Sequence, residues 1–184
     1  QLKNLCNKDS QVFYARQCEI KEISAPVANT FLNANHLQGA DRSLIKLGIF
    51  SGEQLVGVMT FCKPRFNKHY TWELSRFCCL QDTSVVGGAG KLFNYFVRKY
   101  LKNNETVLSY SDIAKGRGGL YKTLGFHLLY RTKPNYVWCK NRKILTRYQC
   151  QMKNEVQVMT ERGYYKIYNC GNKVWVYTKQ QSEV

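Results

Sequence analysis

Acidic residues are scarce in this 184-residue chain: 12 Asp and Glu stand against 28 Lys and Arg, a formal net charge of +16. Proline is scarcer still, at three residues, and no low-complexity tract or internal repeat interrupts the sequence. A collagen-like fibre, a disordered tail and a multidomain string are thereby excluded. Long apolar runs are missing too. The longest, such as 55–61 and 107–110, fall far short of the roughly 18 residues that span a bilayer, and no charged-then-apolar leader is visible. Neither membrane insertion nor secretion by this segment is expected. None of the eight cysteines shows Cys-x-x-Cys spacing, so no zinc-knuckle pattern exists, although Cys6 and Cys18 with distant partners leave a metal site open. Cys62, Cys78 and Cys79 sit in strand-like runs and read as small buried hydrophobes of a reducing compartment. No Ser/His/Asp spacing, paired carboxylates or HNH-like cluster supports hydrolysis or nuclease chemistry.

What the chain has is apolar content and positive charge. At 44% hydrophobic residues it can bury a core of normal size. Its cations are spread through every segment, as on a folded surface, and a field of this strength draws polyanions, nucleic acid first. Acidic small substrates, or charge kept only for solubility, are the alternatives.

Helical spacing of Val27, Phe31 and Leu32 predicts a short helix over 24–35, ending in an Asn33-to-Gly39 loop. Two β-rich runs, 44–50 and 54–61, flank Ser51-Gly52-Glu53 and predict a hairpin, and 72–80 is a third strand. Residues 81–90 read as a loop into an amphipathic helix over 91–101, with Leu92, Phe93, Phe96, Val97 and Tyr100 on one face. A strand at 106–110 then leads through a Gly-rich stretch into a short helix at 120–124. Runs 127–131 and 136–140 look like closing strands about a Lys-Pro-Asn turn, and 164–168 with 173–177 like a terminal hairpin beyond a polar stretch at 149–157. The division expected is a main domain over 1–148 and an extension over 149–184.

Gly87-Gly88-Ala89-Gly90, with Val86 before it, leaves backbone N–H groups unscreened at a helix N-terminus, where the macrodipole favours an anion such as a pyrophosphate. A tight turn that lets the helix pack closely is the other reading. Gly90-Lys91-Leu92 lacks the P-loop ending. Further on, Gly119-Leu120-Tyr121-Lys122-Thr123-Leu124-Gly125-Phe126 resembles the Tyr-x-x-x-Gly-Phe signature of the GNAT acyltransferase superfamily over roughly 31–140. That resemblance implies an α+β fold with a mixed, mostly antiparallel central sheet, flanking helices and here a C-terminal β-hairpin appendage. It also implies an acyl-CoA-like donor on residues Val86 to Gly90. Ser84 and Val85 stand where the superfamily carries Gln or Arg.

Five further blocks stand out: Asn35-His36-Leu37-Gln38-Gly39, Leu55-Val56-Gly57, Thr60-Phe61-Cys62-Lys63-Pro64, Leu74-Ser75-Arg76-Phe77, and Ser109-Tyr110-Ser111-Asp112 with its glycine-rich turn. Together they resemble the phage Mom proteins, GNAT-like enzymes that modify adenine N6 in DNA. Leu37 stands where that pattern has Tyr. The helix end from Phe31 to His36, Val85-Val86-Gly87-Gly88, Pro134-Asn135-Tyr136 and the tail from Gly163-Tyr164 to Gly171-Asn172 are similar, within 14–176, to a domain that phage homing endonucleases carry beside their nuclease module, which implies DNA contact and leaves an N-terminal nuclease module or partner open.

The candidate catalytic residues are then His36, Arg76, Ser109, Asp112 and Tyr121. His36 is a base or a capping residue, Asp112 a base or a turn cap, and iron held by His36 and Asp112 is considered. By strict alternation Arg76 shares a face with Leu74 and Cys78 and must find an anion there, while Glu73 points the other way. Tyr121 is where GNAT enzymes often place the acid that protonates a leaving thiolate. Lys63, Arg65, Lys68, Lys115 and Arg117 are candidate phosphate contacts, and Tyr136 and Trp138 candidate stacking residues. Three functions remain open: a DNA-modifying transferase, a non-catalytic DNA-recognition domain, and an acetyl-CoA-dependent N-acetyltransferase. All fit the cytoplasm, for a phage protein that of the infected bacterial host.

Overall fold

The computed structural model describes residues 11–179, so Cys6 lies outside the described residues. Packing divides them into two units, the first from residues 11–109, 119–128 and 175–179, the second from 110–118 and 129–174. The second unit thus does not coincide with the expected 149–184 extension. No helix among the described residues is long and apolar enough to cross a membrane.

In the first unit β2 (Glu19–Glu22), β3 (Ile45–Ser51), β4 (Gln54–Cys62) and β5 (Trp72–Cys79) run antiparallel in that order. The sheet continues through β7 (Thr106–Asp112), β12 (Asn172–Thr178) and β8 (His127–Arg131) to make seven strands. The β3–β4 hairpin forms as read, with Gly52 supplying the left-handed residue at φ +57°. Val58 and its neighbour Met59 point to opposite faces of β4. Val58 packs with Ala28, Phe31 and Leu32 of α1 (Ala25–Asn35), whose first turn carries Pro26. Met59 belongs to the larger core under α2 (Gly88–Lys99), where Phe96 stacks on Phe61 with ring centroids 3.6 Å apart.

Several elements depart from the sequence reading. Residues Thr83–Val86 form a strand, β6, paired in parallel with β1 (Gln11–Tyr14). That pairing spans some seventy residues, and local periodicity carries no trace of it. The helix starts at Gly88 rather than Lys91, because Gly87 adopts the left-handed conformation (φ +76°) that lets strand turn directly into helix.

In the second unit β9 (Tyr136–Lys140) is the centre of a three-stranded sheet between β10 (Lys143–Thr146) and β11 (Tyr165–Tyr168). The Lys-Pro-Asn segment therefore does not close a hairpin, since β8 and β9 lie in different sheets, and neither do β11 and β12. The two connectors hold each other instead. The Asn135 amide donates to Asn169 Oδ1 and the Asn169 amide to the Asn135 carbonyl, each at 2.8 Å, while the Thr132 amide donates to the Asn172 carbonyl. The polar stretch contains a helix, α4 (Glu155–Glu161), whose Met159 packs with Trp138 and Cys150 in a small core of its own.

Candidate functional site

β5 and β7 pair in parallel only at Trp72 with Val107 and Glu73 with Leu108. Just beyond that, the Ser109 side chain bridges the strands, its Oγ 2.9 Å from the Leu74 carbonyl and 3.1 Å from Tyr121 Oη. The carbonyl can only accept, so the Ser109 proton goes there and Tyr121 donates to Ser109. Tyr121, on α3 (Gly119–Thr123), also stacks on Trp175, and burial pushes its phenol above the ordinary range. The result is a neutral, oriented phenol on the core side of the first unit.

Beside it lies a cleft of about 450 Å³ lined by Phe77 and Cys79 of β5, the glycine loop, and Leu120, Thr123 and Leu124. A side chain at Gly90 would meet nothing within 4 Å, so packing does not demand glycine there, and the open backbone at the N-terminus of α2 suits an anionic group. Among the described residues no cation lines this cleft. Lys91 is committed elsewhere, donating to the Ala15 carbonyl at 2.8 Å and to that of Cys18. The cleft fits an acyl-CoA-like donor whose phosphates meet backbone N–H groups rather than side-chain charge. Gly87 sets the geometry, and Gly87→Ala should lower stability by about 1–2 kcal/mol through left-handed strain. Urea denaturation checks this.

Arg76 occupies a second cleft because of a bulge. The β4–β5 register passes from Thr60 with Arg76 to Phe61 with Leu74, leaving Ser75 as the extra residue. The side-chain phase shifts there. Leu74 enters the core under α2, while Arg76, Cys78 and also Glu73 take the α1 face. The sharing of a face by Arg76 and Leu74, and the placing of Glu73 on the other, are both corrected by this bulge.

Asp41 was not singled out in the sequence, yet it ties this region together. Its carboxylate accepts from Ser43 Oγ at 2.7 Å and Thr60 Oγ1 at 3.2 Å. Desolvation opposes its charge, but hydrogen bonds from Ser75, Ser43 and Thr60 with the Arg76 guanidinium outweigh it and hold the carboxyl below its usual 3.8. A signal existed, since Thr60 is a polar residue in the apolar run 55–62 and is fully buried, so it needs a partner. A depressed carboxyl contributes stability that is fully present above the unfolded-state value and disappears as pH falls through the folded one. Asp41→Asn should therefore flatten the loss of stability below about pH 4. Thermal melts of both proteins between pH 3 and 7 test it.

The remaining candidates are spread out. His36 follows α1, and its Nδ1 accepts the Gln38 amide at 3.1 Å, so a base role at that nitrogen requires the contact to open. Lys63 Nζ lies 4.0 Å from the centroid of the Trp72 ring, and Lys68 lies in the loop before β5. Asp112 belongs to the second unit, where Oδ1 accepts the Ala114 amide at 2.9 Å, the turn-capping geometry. Among the described residues no group of three or more His, Cys, Asp or Glu side chains could hold a metal ion.

The second unit concentrates the charge, with 12 Lys and Arg against three Asp and Glu. Lys115 and Arg117 are exposed in it. Trp138, expected to stack on a base, is instead 1% exposed, its Nε1 donating to Glu155 Oε1 at 2.7 Å, and Tyr136 donates to the same oxygen at 2.9 Å. The aromatics open to solvent here are Tyr130, Tyr148, Tyr165 and Tyr168. Trp138→Ala should cost about 3–5 kcal/mol and make 129–174 the first protease-sensitive region, which limited proteolysis reads directly.

Solved structures similar to this chain are acetyltransferases. The ribosomal-protein-S18-alanine N-acetyltransferase from Escherichia coli aligns at TM-score 0.55 and 10% identity, over 90% of this chain and 96% of that one. Ard1 from Thermoplasma volcanium gives 0.55 at 9%, covering 90% and 99%. Arabidopsis thaliana Naa50, in complex with the bisubstrate analogue CoA-Ac-MVNAL, gives 0.51 at 8%, covering 88% and 99%. At these identities they show the fold, which is that of the GNAT acetyltransferases. A comparison with curated proteins finds no match. With the splayed strands, glycine loop and Tyr121 helix in place, the family model of the Mom proteins matches residues 17–176, and the chain belongs to the Mom protein family.

Proposed function

We propose that this protein is a phage-encoded transferase that modifies DNA at adenine N6, working in the cytoplasm of the infected cell. The observation that carries the reading is the Ser109–Tyr121 pair at the splay of β5 and β7, beside a glycine-loop cleft, in a Mom-family chain of charge +16. When bound, an acyl-CoA-like donor supplies an activated carbonyl. The backbone of Val86 to Gly90 holds the anionic end of such a donor, and the apolar wall of Phe77, Leu120 and Leu124 takes its arm and excludes water. Tyr121 holds a proton at Oη for a departing sulfur, and Ser109 orients it. Arg76 and Asp41 border a basic cleft on the α1 face that faces the DNA, and His36 lies in the loop leading to it.

A non-catalytic DNA-recognition role is the second reading, favoured by the capped Asp112 and by the lack of a cation in the donor cleft. Cellular DNA from an expressing strain, digested with restriction enzymes whose sites contain adenine, separates the two. Resistance that is lost in Tyr121→Phe supports transfer. Full cleavage beside intact DNA binding by the purified protein overturns it in favour of recognition.

A further inference from the structure

We infer that the cleft on the α1 face of the first unit is a pocket for one phosphodiester of the polynucleotide, shared by Arg65 and Arg76. This rests on the DNA-directed reading above and names the group that the site grips. The cleft encloses about 640 Å³, and its lining includes Arg42, Lys63, Arg65 and Arg76 with Asp41 as its carboxylate.

Two guanidinium groups meet at a single hydroxyl. Arg65 Nη2 stands 3.2 Å and Arg76 Nη1 3.5 Å from Ser75 Oγ, the bulged residue. Two like charges at one acceptor repel, which Asp41 beside Arg76 and Glu73 beside Arg65 offset without occupying every donor. The fixed contacts leave donors over. Arg76 spends Nε on the Gly39 carbonyl (3.3 Å) and Nη1 on Ser75, while Arg65 uses its backbone amide and, at 3.9 Å, its Nε on Glu73. Arg76 Nη2 and Arg65 Nη1 have no hydrogen-bond partner among the described residues, and both belong to side chains that line the cleft.

Asp41 is unsuited to neutralise this pair by itself. Its oxygens already serve Ser43, Thr60 and Ser75, so it pins the Ser75–Arg76 corner. A phosphodiester offers two unesterified oxygens at the spacing of two guanidinium edges, and Lys63 and Arg42 at the rim add charge without fixed geometry. A carboxylate ligand presents one planar edge and would be matched by one arginine. The scale of the net charge selects a polynucleotide over a small anion.

The test is equilibrium binding of a 30-base-pair duplex to the full chain by fluorescence anisotropy across 50–300 mM NaCl. Wild type is compared with Arg65→Gln, Arg76→Gln, the double variant and Arg76→Lys. Because both arginines serve one phosphate, the double variant should lose about 0.9 in the slope of log K against log[NaCl], while each single variant, its partner arginine still on that phosphate, should lose less than this as its affinity falls several-fold. Arg76→Lys keeps the charge and should keep the slope with affinity a few-fold weaker. An unchanged slope in the double variant, or single losses of about 0.9 each that sum to about 1.8 in the double, overturns the shared pocket while leaving the DNA reading intact. A wild type without salt-dependent DNA binding overturns both. Melting curves confirm folding, and if a Gln variant does not fold, Ser75→Ala, expected to weaken binding at unchanged slope, takes its place.

Discussion

Tyr121→Phe should slow DNA modification about 10²-fold while DNA affinity stays within about twofold of wild type. The substitution removes one oxygen and leaves the ring that stacks on Trp175 at 5.4 Å, so packing is preserved. What goes is the proton held at Oη and the hydrogen bond to Ser109. Burial keeps that phenol protonated well above neutral pH, as an acid that must arrive loaded requires. Ser109→Ala should give a smaller loss, since it frees the tyrosine without removing its proton. Rates of nucleoside modification in vitro, read beside anisotropy titrations, separate chemistry from binding. An unaltered rate in Tyr121→Phe would reduce the residue to a packing element.

Replacing Lys115, Arg117, Lys133, Arg142, Lys143 and Arg147 together by Gln should weaken DNA binding about 10²- to 10³-fold near 150 mM salt. All six are exposed, and all lie in the second unit, which carries nine of the sixteen net positive charges. Each one that neutralises a phosphate adds about 0.9 to the salt slope, so the slope falls with the affinity. The small core of Trp138, Cys150 and Met159 is untouched by these changes, and the melting temperature should hold. Equal loss from six exposed cations of the first unit would show that the charge acts as a diffuse field rather than through this unit.

Of the elements around the glycine-loop cleft, β5 and the Tyr121 helix were legible because their signals are local, whereas β6 was not. Alternation about Gly52 gives the hairpin, and the tyrosine four residues ahead of Gly125 marks the α3 helix. Topology was not legible in the same way. β8 and β9 both read as short strands beside a turn, and their assignment to different sheets is set by partners farther along the chain, β12 for one and β10 and β11 for the other. The bulge at Ser75 left no mark either, since one extra residue in a strand of mixed polarity looks like ordinary alternation, and it reassigned Arg76, Leu74 and Glu73 together. Asp41 was missed for a related reason. A carboxylate in a polar loop looks solvated until the buried Thr60 is brought to it from nineteen residues away. The aromatic and basic interleaving at 136–140 pointed to a ring that is buried, because cations over Tyr136 and Trp138 are also how a small core seals its edge.

The central claim is group transfer to adenine in DNA, and mass spectrometry of enzymatically released nucleosides tests it most directly. DNA from cells expressing the wild-type chain, the Tyr121→Phe variant and an empty vector is digested and compared. A heavier deoxyadenosine, present with wild type and depleted in the variant, is the predicted result, and its added mass identifies the transferred group. Identical nucleoside profiles from all three, with the purified protein still binding DNA, would contradict the account.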